Sequence, residues 1–107
     1  MTTRLRVGLW VSPPVILAVG FIERLRGLRP HSDGRALLLR GRSVHSIGMK
    51  ESLWVVGLDR EGVAIETRLL RPGRFRRIRR AIWMLEFSAA EPPPPIGSTL
   101  RRVTGNG

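Results

Sequence analysis

The chain has 107 residues, enough for one domain that removes about two-thirds of its unfolded surface from water. It contains no cysteine, which excludes disulfide bonds, thiolate metal sites and cysteine nucleophiles. The formal net charge is +11, and all but one of the 19 basic side chains are arginine. Such a charge attracts phosphate-bearing polymers or anionic lipid surfaces, although a strong bias to arginine is also typical of GC-rich genomes.

The first apolar segment, VGLWVSPPVILAVGFI at 7–22, is flanked by arginines and could be a signal peptide or a membrane span. It is shorter than the roughly 18 to 20 residues of a spanning helix, and Pro13 and Pro14 disfavour a helix there. We favour a strand, a turn at SPP, a second strand over Val15 to Ala18, and a short helix over Phe21 to Arg26. The expected location is therefore cytoplasmic, without a cleaved signal peptide or transmembrane span, and with peripheral membrane contact as an alternative.

Three apolar runs in the middle of the chain predict strands. ALLLR at 36–40 is continuous, which is typical of a strand covered on both faces. SLWVVGLD at 52–59 and VAIETRLL at 63–70 are joined by DREG, the strongest hairpin signal of the chain. Asp59 is expected to cap this turn, because an aspartate side chain accepts hydrogen bonds from the amides that follow it.

The most basic part of the sequence is RPGRFRRIRR at 71–80, where Phe75 and Ile78 are the apolar side chains besides proline. It predicts a solvated loop or edge strand, with an anion-binding patch as the alternative. The patch would consist of Arg74, Arg76, Arg77, Arg79 and Arg80.

The C-terminal part contains two more predicted strands, AIWMLEFSA at 81–89 and STLRRV at 98–103. A polyproline connector at 91–95 separates them, and the tail at 104–107 should fray. The chain therefore reads as one α+β domain of mainly antiparallel strands, which form a small barrel- or sandwich-like sheet with one short helix near the N-terminus.

Few residues offer chemistry. The sequence has neither G-x-G-x-x-G nor G-x-x-x-x-G-K-[ST], and its two histidines, His31 and His45, do not complete a nucleophile, base and acid set. His45 and Met49 resemble half of a soft copper site, but two ligands do not make a site. We favour the structural interpretation, in which His45 is hydrogen-bonded within a sheet and Met49 fills a gap in the core. We expect neither a metal nor a cofactor.

Six segments carry a family resemblance: RLRGL at 24–28, ALLL at 36–39, SVHSIGM at 43–49, VVGLDREG at 55–62, LRP at 70–72 and MLE at 84–86. In order and spacing they resemble the domain of unknown function 192 family, also called uncharacterised protein family 0127, a small bacterial and archaeal family. The resemblance covers the chain from about Val15 to Leu100. It places the family's motif residues on Ala18, Arg24, Arg26, Gly27, Leu28, His45, Gly48, Met49, Asp59, Gly62, Leu85 and Glu86.

The chain departs from the family pattern beside His45. The family usually has proline, isoleucine and aspartate after its methionine, whereas this chain has Ser52, Leu53 and Trp54, so an acidic group is lost. The segment at 19–23 is apolar where the family is polar, and PPPPIGS replaces the usual tail. The resemblance implies a compact, strand-rich α+β domain and an accessory role near pilus, secretion or envelope machinery, but no established activity.

These observations favour a non-enzymatic binding or accessory module for a protein partner or an anionic ligand. A second hypothesis is a small-ligand or catalytic site in which Glu86 orients His45; its candidate cluster is Arg24, His45, Met49, Asp59 and Glu86. A third is non-specific nucleic-acid binding through 71–80, where arginines would neutralise phosphates.

Overall fold

The computed structural model describes residues 2–13, 15–18, 36–41, 43–45 and 51–105. All regular structure in these ranges is β-strand. The strands are β1 Thr2–Val7, β2 Trp10–Val11, β3 Val15–Ala18, β4 Ala36–Arg40, β5 Ser43–His45, β6 Leu53–Leu58, β7 Ala64–Leu70, β8 Phe75–Arg77, β9 Trp83–Ser88 and β10 Arg101–Gly105. They form a five-stranded, a three-stranded and a two-stranded sheet.

The predicted α+β class is wrong for this part of the chain, because strands are its only regular elements. Glycines, prolines and tight turns divide the apolar sequence into runs too short for a stable helix, and these runs pair as strands instead. The helix expected over Phe21 to Arg26 lies outside the described residues. Among the described residues, there is no helix of the length and hydropathy that a membrane crossing requires.

The five-stranded sheet has the order β3-β4-β9-β6-β7. β3 and β4 are parallel, and the other neighbours are antiparallel, as predicted for most of the chain. Along β6, Leu53 and Val55 point to one face of the sheet, while Val56 and Leu58 point to the other. Both faces are buried, which explains why β4, β6 and β9 are almost continuously apolar.

One face of this sheet packs against the three-stranded sheet, whose order is β10-β1-β2. Leu5 from β1 and Leu100 join the hydrophobic cluster on that face. Trp10 from β2 contacts Phe87 with 5.8 Å between the ring centroids, and its indole Nε1 donates to the carbonyl of Pro92 at 2.7 Å. The two sheets therefore share a core to which both aromatic side chains contribute.

Most strand predictions are confirmed. β3 and β4 have the predicted bounds, and β6, β7 and β9 lie within their predicted segments. The prediction of a single strand before the SPP turn is wrong, because the chain already reverses at Gly8 and Leu9, between β1 and β2. Gly8 has φ 56°, a value that suits the first central position of a two-residue hairpin loop.

Candidate anion-binding site

A tight turn at residues 78–81, called the arginine turn below, presents two guanidinium groups. The amide of Ala81 donates to the carbonyl of Ile78 at 3.1 Å. Ile78 and Ala81 are almost completely buried in the hydrophobic cluster on the second face of the five-stranded sheet. Arg79 and Arg80, which lie between them, are exposed. Burial of both ends fixes the turn on the sheet, so the two arginines project into solvent from a fixed base.

The arginine turn packs against β6 at Gly57. A Cβ atom at this position would lie 2.8 Å from Cγ2 of Ile78 and 3.2 Å from Cβ of Ala81. The first of these distances is closer than real Cβ contacts. Glycine is therefore required here because of the close approach of another segment, one of the reasons for which a strand contains glycine.

A β-bulge in β7 aims three neighbouring side chains at this turn. Gly57 pairs with Glu66, but Leu58 pairs with Ala64, so Ile65 is an extra residue in β7. Side chains alternate between faces in a regular strand, and a bulge interrupts that alternation. As a result Ile65 and Glu66, although adjacent in sequence, both reach the same side of the sheet, together with Arg68.

These elements line an open concave pocket of about 450 Å³, which we call the arginine pocket. β7 contributes Ile65, Glu66 and Arg68, β8 contributes Arg77, and the arginine turn contributes Arg79 and Arg80. The volume lies within the range of small-molecule sites, about 300 to 1,000 Å³. Four arginines and one glutamate give the lining a formal charge of +3.

Only one of the four arginines is paired with an acidic group in the described part of the chain. Nε of Arg68 donates to Oε2 of Glu66 at 2.6 Å, and both side chains are partly exposed. The side chains of Arg77, Arg79 and Arg80 make no ion pair or hydrogen bond with the described residues. Their charges are close together and uncompensated, which makes the pocket attractive to an anion.

The pocket contains three of the five arginines proposed from the sequence, namely Arg77, Arg79 and Arg80. Arg74 is not among the lining residues. The side chain of Arg76 lies outside the described part of the molecule. The two structures predicted for this run, an edge strand and a solvated loop, both occur, as β8 and as the turns that flank it.

The second predicted cluster is only partly described. The backbone of His45 pairs with Phe75 in the two-stranded sheet of β5 and β8. The side chain of His45 lies outside the described part of the molecule, as do Met49 and Arg24. Asp59 follows β6, and Glu86 pairs with Val55, four residues earlier on that strand. At about 3.3 Å per residue this separates Asp59 from Glu86 by roughly 13 Å along the strands, so these two carboxylates do not share one site.

Asp59 has the turn-capping role that its position in DREG predicts. Its Oδ1 accepts hydrogen bonds from the amides of Glu61 and Val63, each at 2.9 Å. Gly62 has φ 82°, which glycine adopts without strain. The hairpin between β6 and β7 is therefore held by Asp59, which is also a member of the candidate cluster predicted from the sequence.

Glu86 occupies the middle of β9 and is only 4% exposed. Its neighbours across the sheet are Leu37 and Val55, both members of the buried cluster. A catalytic carboxylate needs access to substrate, and this position is in the core of the sheet. Pairing of Glu86 with His45 stays a prediction.

The β7 side of the pocket was not predicted from the sequence. Glu66 and Arg68 are two residues apart in VAIETRLL, a spacing that places opposite charges on one face of a strand. That signal was present, but the bulge that brings Ile65 to the same side has no signature in the sequence.

Among the described residues, no group of three His, Cys, Asp or Glu side chains is placed to hold a metal ion. No family model, no curated protein and no solved structure matches the chain.

Proposed function

We propose that the protein is a non-enzymatic binding module for an anionic ligand, which it takes up in the arginine pocket. The observation that carries the proposal is the convergence of Arg77, Arg79 and Arg80 on one concave site without acidic partners among the described residues. Guanidinium groups are planar, permanently charged and able to donate two parallel hydrogen bonds to one phosphate or carboxylate. Several of them in one pocket favour an anion over any other ligand.

The way in which the arginines are held supports binding rather than simple solvation. Ile78, the residue between Arg77 and Arg79, is 1% exposed and packs against Gly57. This anchor restricts the backbone that carries all three arginines, so less conformational entropy is lost when a ligand is bound. Free surface arginines on a flexible loop lack this advantage.

Two rival functions have less support. Non-specific nucleic-acid binding would use the same arginines. A groove that binds a nucleic-acid strand presents basic groups along several nucleotides, whereas these arginines converge on one pocket. A site at His45 and Glu86 requires an accessible carboxylate, and Glu86 is buried. A protein partner, peripheral membrane contact and an accessory role near pilus, secretion or envelope machinery stay predictions from charge and resemblance.

The test is isothermal titration calorimetry with inorganic tripolyphosphate. The triple variant Arg77→Gln, Arg79→Gln, Arg80→Gln should bind at least tenfold more weakly, because the loss of even one charge-assisted hydrogen bond costs about 1.5 kcal/mol or more, a factor of over ten. The matched control removes three exposed arginines outside the pocket by Arg60→Gln, Arg101→Gln and Arg102→Gln.

The control variant has the same net charge as the pocket variant, so it separates a site from general attraction. It should keep affinity within about threefold of the unmodified protein, since distant charges are screened at physiological salt. Equal losses in the two variants, or no binding by the unmodified protein, would contradict the proposal. Unfolding midpoints of both variants should change little, because all six side chains are exposed.

A further inference from the structure

The hairpin between β1 and β2 ends in an apolar tip. Leu9 is fully exposed there, and Val11, two residues further along, is 46% exposed. Gly8 has a positive φ and Leu9 does not, as in a type II′ turn, so small polar residues suit the position of Leu9 equally well. This leucine buries no apolar surface within the protein, and its side chain is available for a contact outside the chain.

Basic side chains lie directly beside this tip. Leu5 points into the core that the two sheets share, so Arg6, the next residue of β1, points away from that core. Arg6 pairs with Arg101 of β10 on one side and with Val11 of β2 on the other. These three side chains form a row across the outer surface of the three-stranded sheet. The row and Leu9 together are called the hairpin face below.

Two guanidinium groups of the hairpin face are neighbours. Directly opposite side chains on adjacent strands have Cβ atoms about 4.5–5.5 Å apart, and like charges at such positions destabilise a sheet. Arg6 and Arg101 are exposed, and neither makes an ion pair with the described residues. Nε of Arg6 donates to the carbonyl of Gly8 at 3.1 Å, which holds this guanidinium near the tip. An external anion that contacts both arginines would remove their repulsion.

We infer that the hairpin face is a peripheral membrane-binding surface, which inserts Leu9 among the lipids and places Arg6 and Arg101 on anionic headgroups. Apolar side chains bind at the boundary between headgroups and acyl chains, and basic side chains are attracted to anionic headgroups. The net charge of +11 complements such a surface. The inference goes beyond the proposed function and does not rest on it, because a different part of the molecule carries it.

The shape of the hairpin face favours a lipid surface over a protein partner. A stable protein interface buries roughly 800 Å² on each side around a well-packed centre, whereas here one leucine projects from a two-residue loop with arginines behind it. Trp10 holds the base of this loop, since its ring contacts Phe87 and its Nε1 donates to the carbonyl of Pro92. Such a protrusion enters a soft bilayer without needing a matching cavity.

The hairpin face and the arginine pocket lie on opposite sides of the five-stranded sheet. The three-stranded sheet packs against the face that carries Val56 and Leu58, and the arginine turn packs through Ile78 against the other face. A bilayer at the hairpin face therefore leaves the pocket on the side away from the lipid. The two sites can be tested separately for this reason.

The first experiment is co-sedimentation at physiological salt with vesicles of phosphatidylcholine, alone or with an equal amount of phosphatidylglycerol. The unmodified protein should bind the anionic vesicles about tenfold more tightly than the neutral ones, or better, because arginines contact charged headgroups. Arg6→Gln, Arg101→Gln should weaken this binding by about tenfold or more. Leu9→Asn, which suits the turn, should weaken it by about fivefold or more because the inserted apolar group is lost.

The matched control is Arg40→Gln, Arg60→Gln, which removes the same charge at exposed positions outside the three-stranded sheet and the pocket lining. It should bind anionic vesicles within about threefold of the unmodified protein, since charges remote from the headgroups are screened. Unfolding midpoints should change little in all variants, because the replaced side chains are exposed. Equal losses in the two arginine variants, or full binding by Leu9→Asn, would overturn the inference.

A fluorescent label reports which side of the molecule meets the bilayer. Because the chain has no cysteine, Leu9→Cys and Arg79→Cys each provide a single site for a dye whose emission shifts to the blue in apolar surroundings. On addition of anionic vesicles, the dye at residue 9 should shift and the dye at residue 79 should not. A shift at residue 79, with or without one at residue 9, would overturn the hairpin face as the specific site. Absence of vesicle binding would also overturn the inference and would leave the tip to a protein partner.

Discussion

The Cγ2 atom of Ile78 lies 2.8 Å from the position that a Cβ atom on Gly57 would occupy. This contact joins a central strand of the sheet to the arginine turn. Gly57 does not have a positive φ, so the reason for glycine at this position is space rather than backbone conformation. The positions of the pocket arginines therefore depend on the absence of a side chain in β6.

Gly57→Ala should lower the free energy of unfolding by about 1–3 kcal/mol, because overpacking forces Ile78 or the turn to shift. Chemical denaturation measures this change, and tripolyphosphate titration should show weaker binding by the folded variant. Ile78→Ala alone should cost about 2–5 kcal/mol, since it empties a buried site.

The double variant Gly57→Ala, Ile78→Ala tests whether the two residues are coupled. Its destabilisation should be smaller than the sum of the two single effects, because the new methyl group occupies part of the space that Ile78 vacates. Additive effects would show that the contact does not restrict the turn.

Asp59→Ala should destabilise the protein by about 0.5–2 kcal/mol, since the amides of Glu61 and Val63 lose the acceptor Oδ1. Asp59→Asn retains a side-chain oxygen and should recover most of the loss. Urea denaturation distinguishes the two, and equal destabilisation would mean that the charge, rather than the hydrogen bonds, supports the turn. Affinity for tripolyphosphate should stay unchanged in both variants, because Asp59 does not line the pocket.

Thr67→Val should stabilise the protein by about 1 kcal/mol. The Oγ1 atom of Thr67 is buried and has no hydrogen-bond partner within the described part of the molecule, and a buried hydroxyl without a partner costs roughly 1–3 kcal/mol. Valine has nearly the same shape and suits a strand. Thr99→Val at an exposed position is the control, and a drop in the thermal midpoint of Thr67→Val would indicate that water satisfies the hydroxyl.

Glu86→Ala should lower the free energy of unfolding by about 2–4 kcal/mol, because it leaves a cavity and breaks the interaction that the buried carboxylate makes. Binding of tripolyphosphate by the folded fraction should not change. A loss of ligand affinity with unaltered stability would be the opposite result, and it would move the functional site from the arginine pocket to Glu86 and His45.

Local sequence predicted the individual strands well. ALLLR is β4 with the predicted bounds, and DREG is the hairpin between β6 and β7, because apolar runs and turn residues act over a few positions. The α+β class was wrong for the described part of the chain, because all of its regular elements are strands that pair with one another. The hairpin at Gly8 was missed because the apolar residues on both sides of it read as one segment.

The sequence by itself determined the charge, the absence of cysteine chemistry, most strand positions and the arginine run from which three pocket residues come. Tertiary structure alone decided which arginines meet. The bulge in β7 brings Ile65 to the side of the sheet that already carries Glu66 and Arg68, and the space above Gly57 admits Ile78. Both depend on contacts between separate segments of the folded chain, because pairing register and close packing are properties of the assembled sheet rather than of any local pattern.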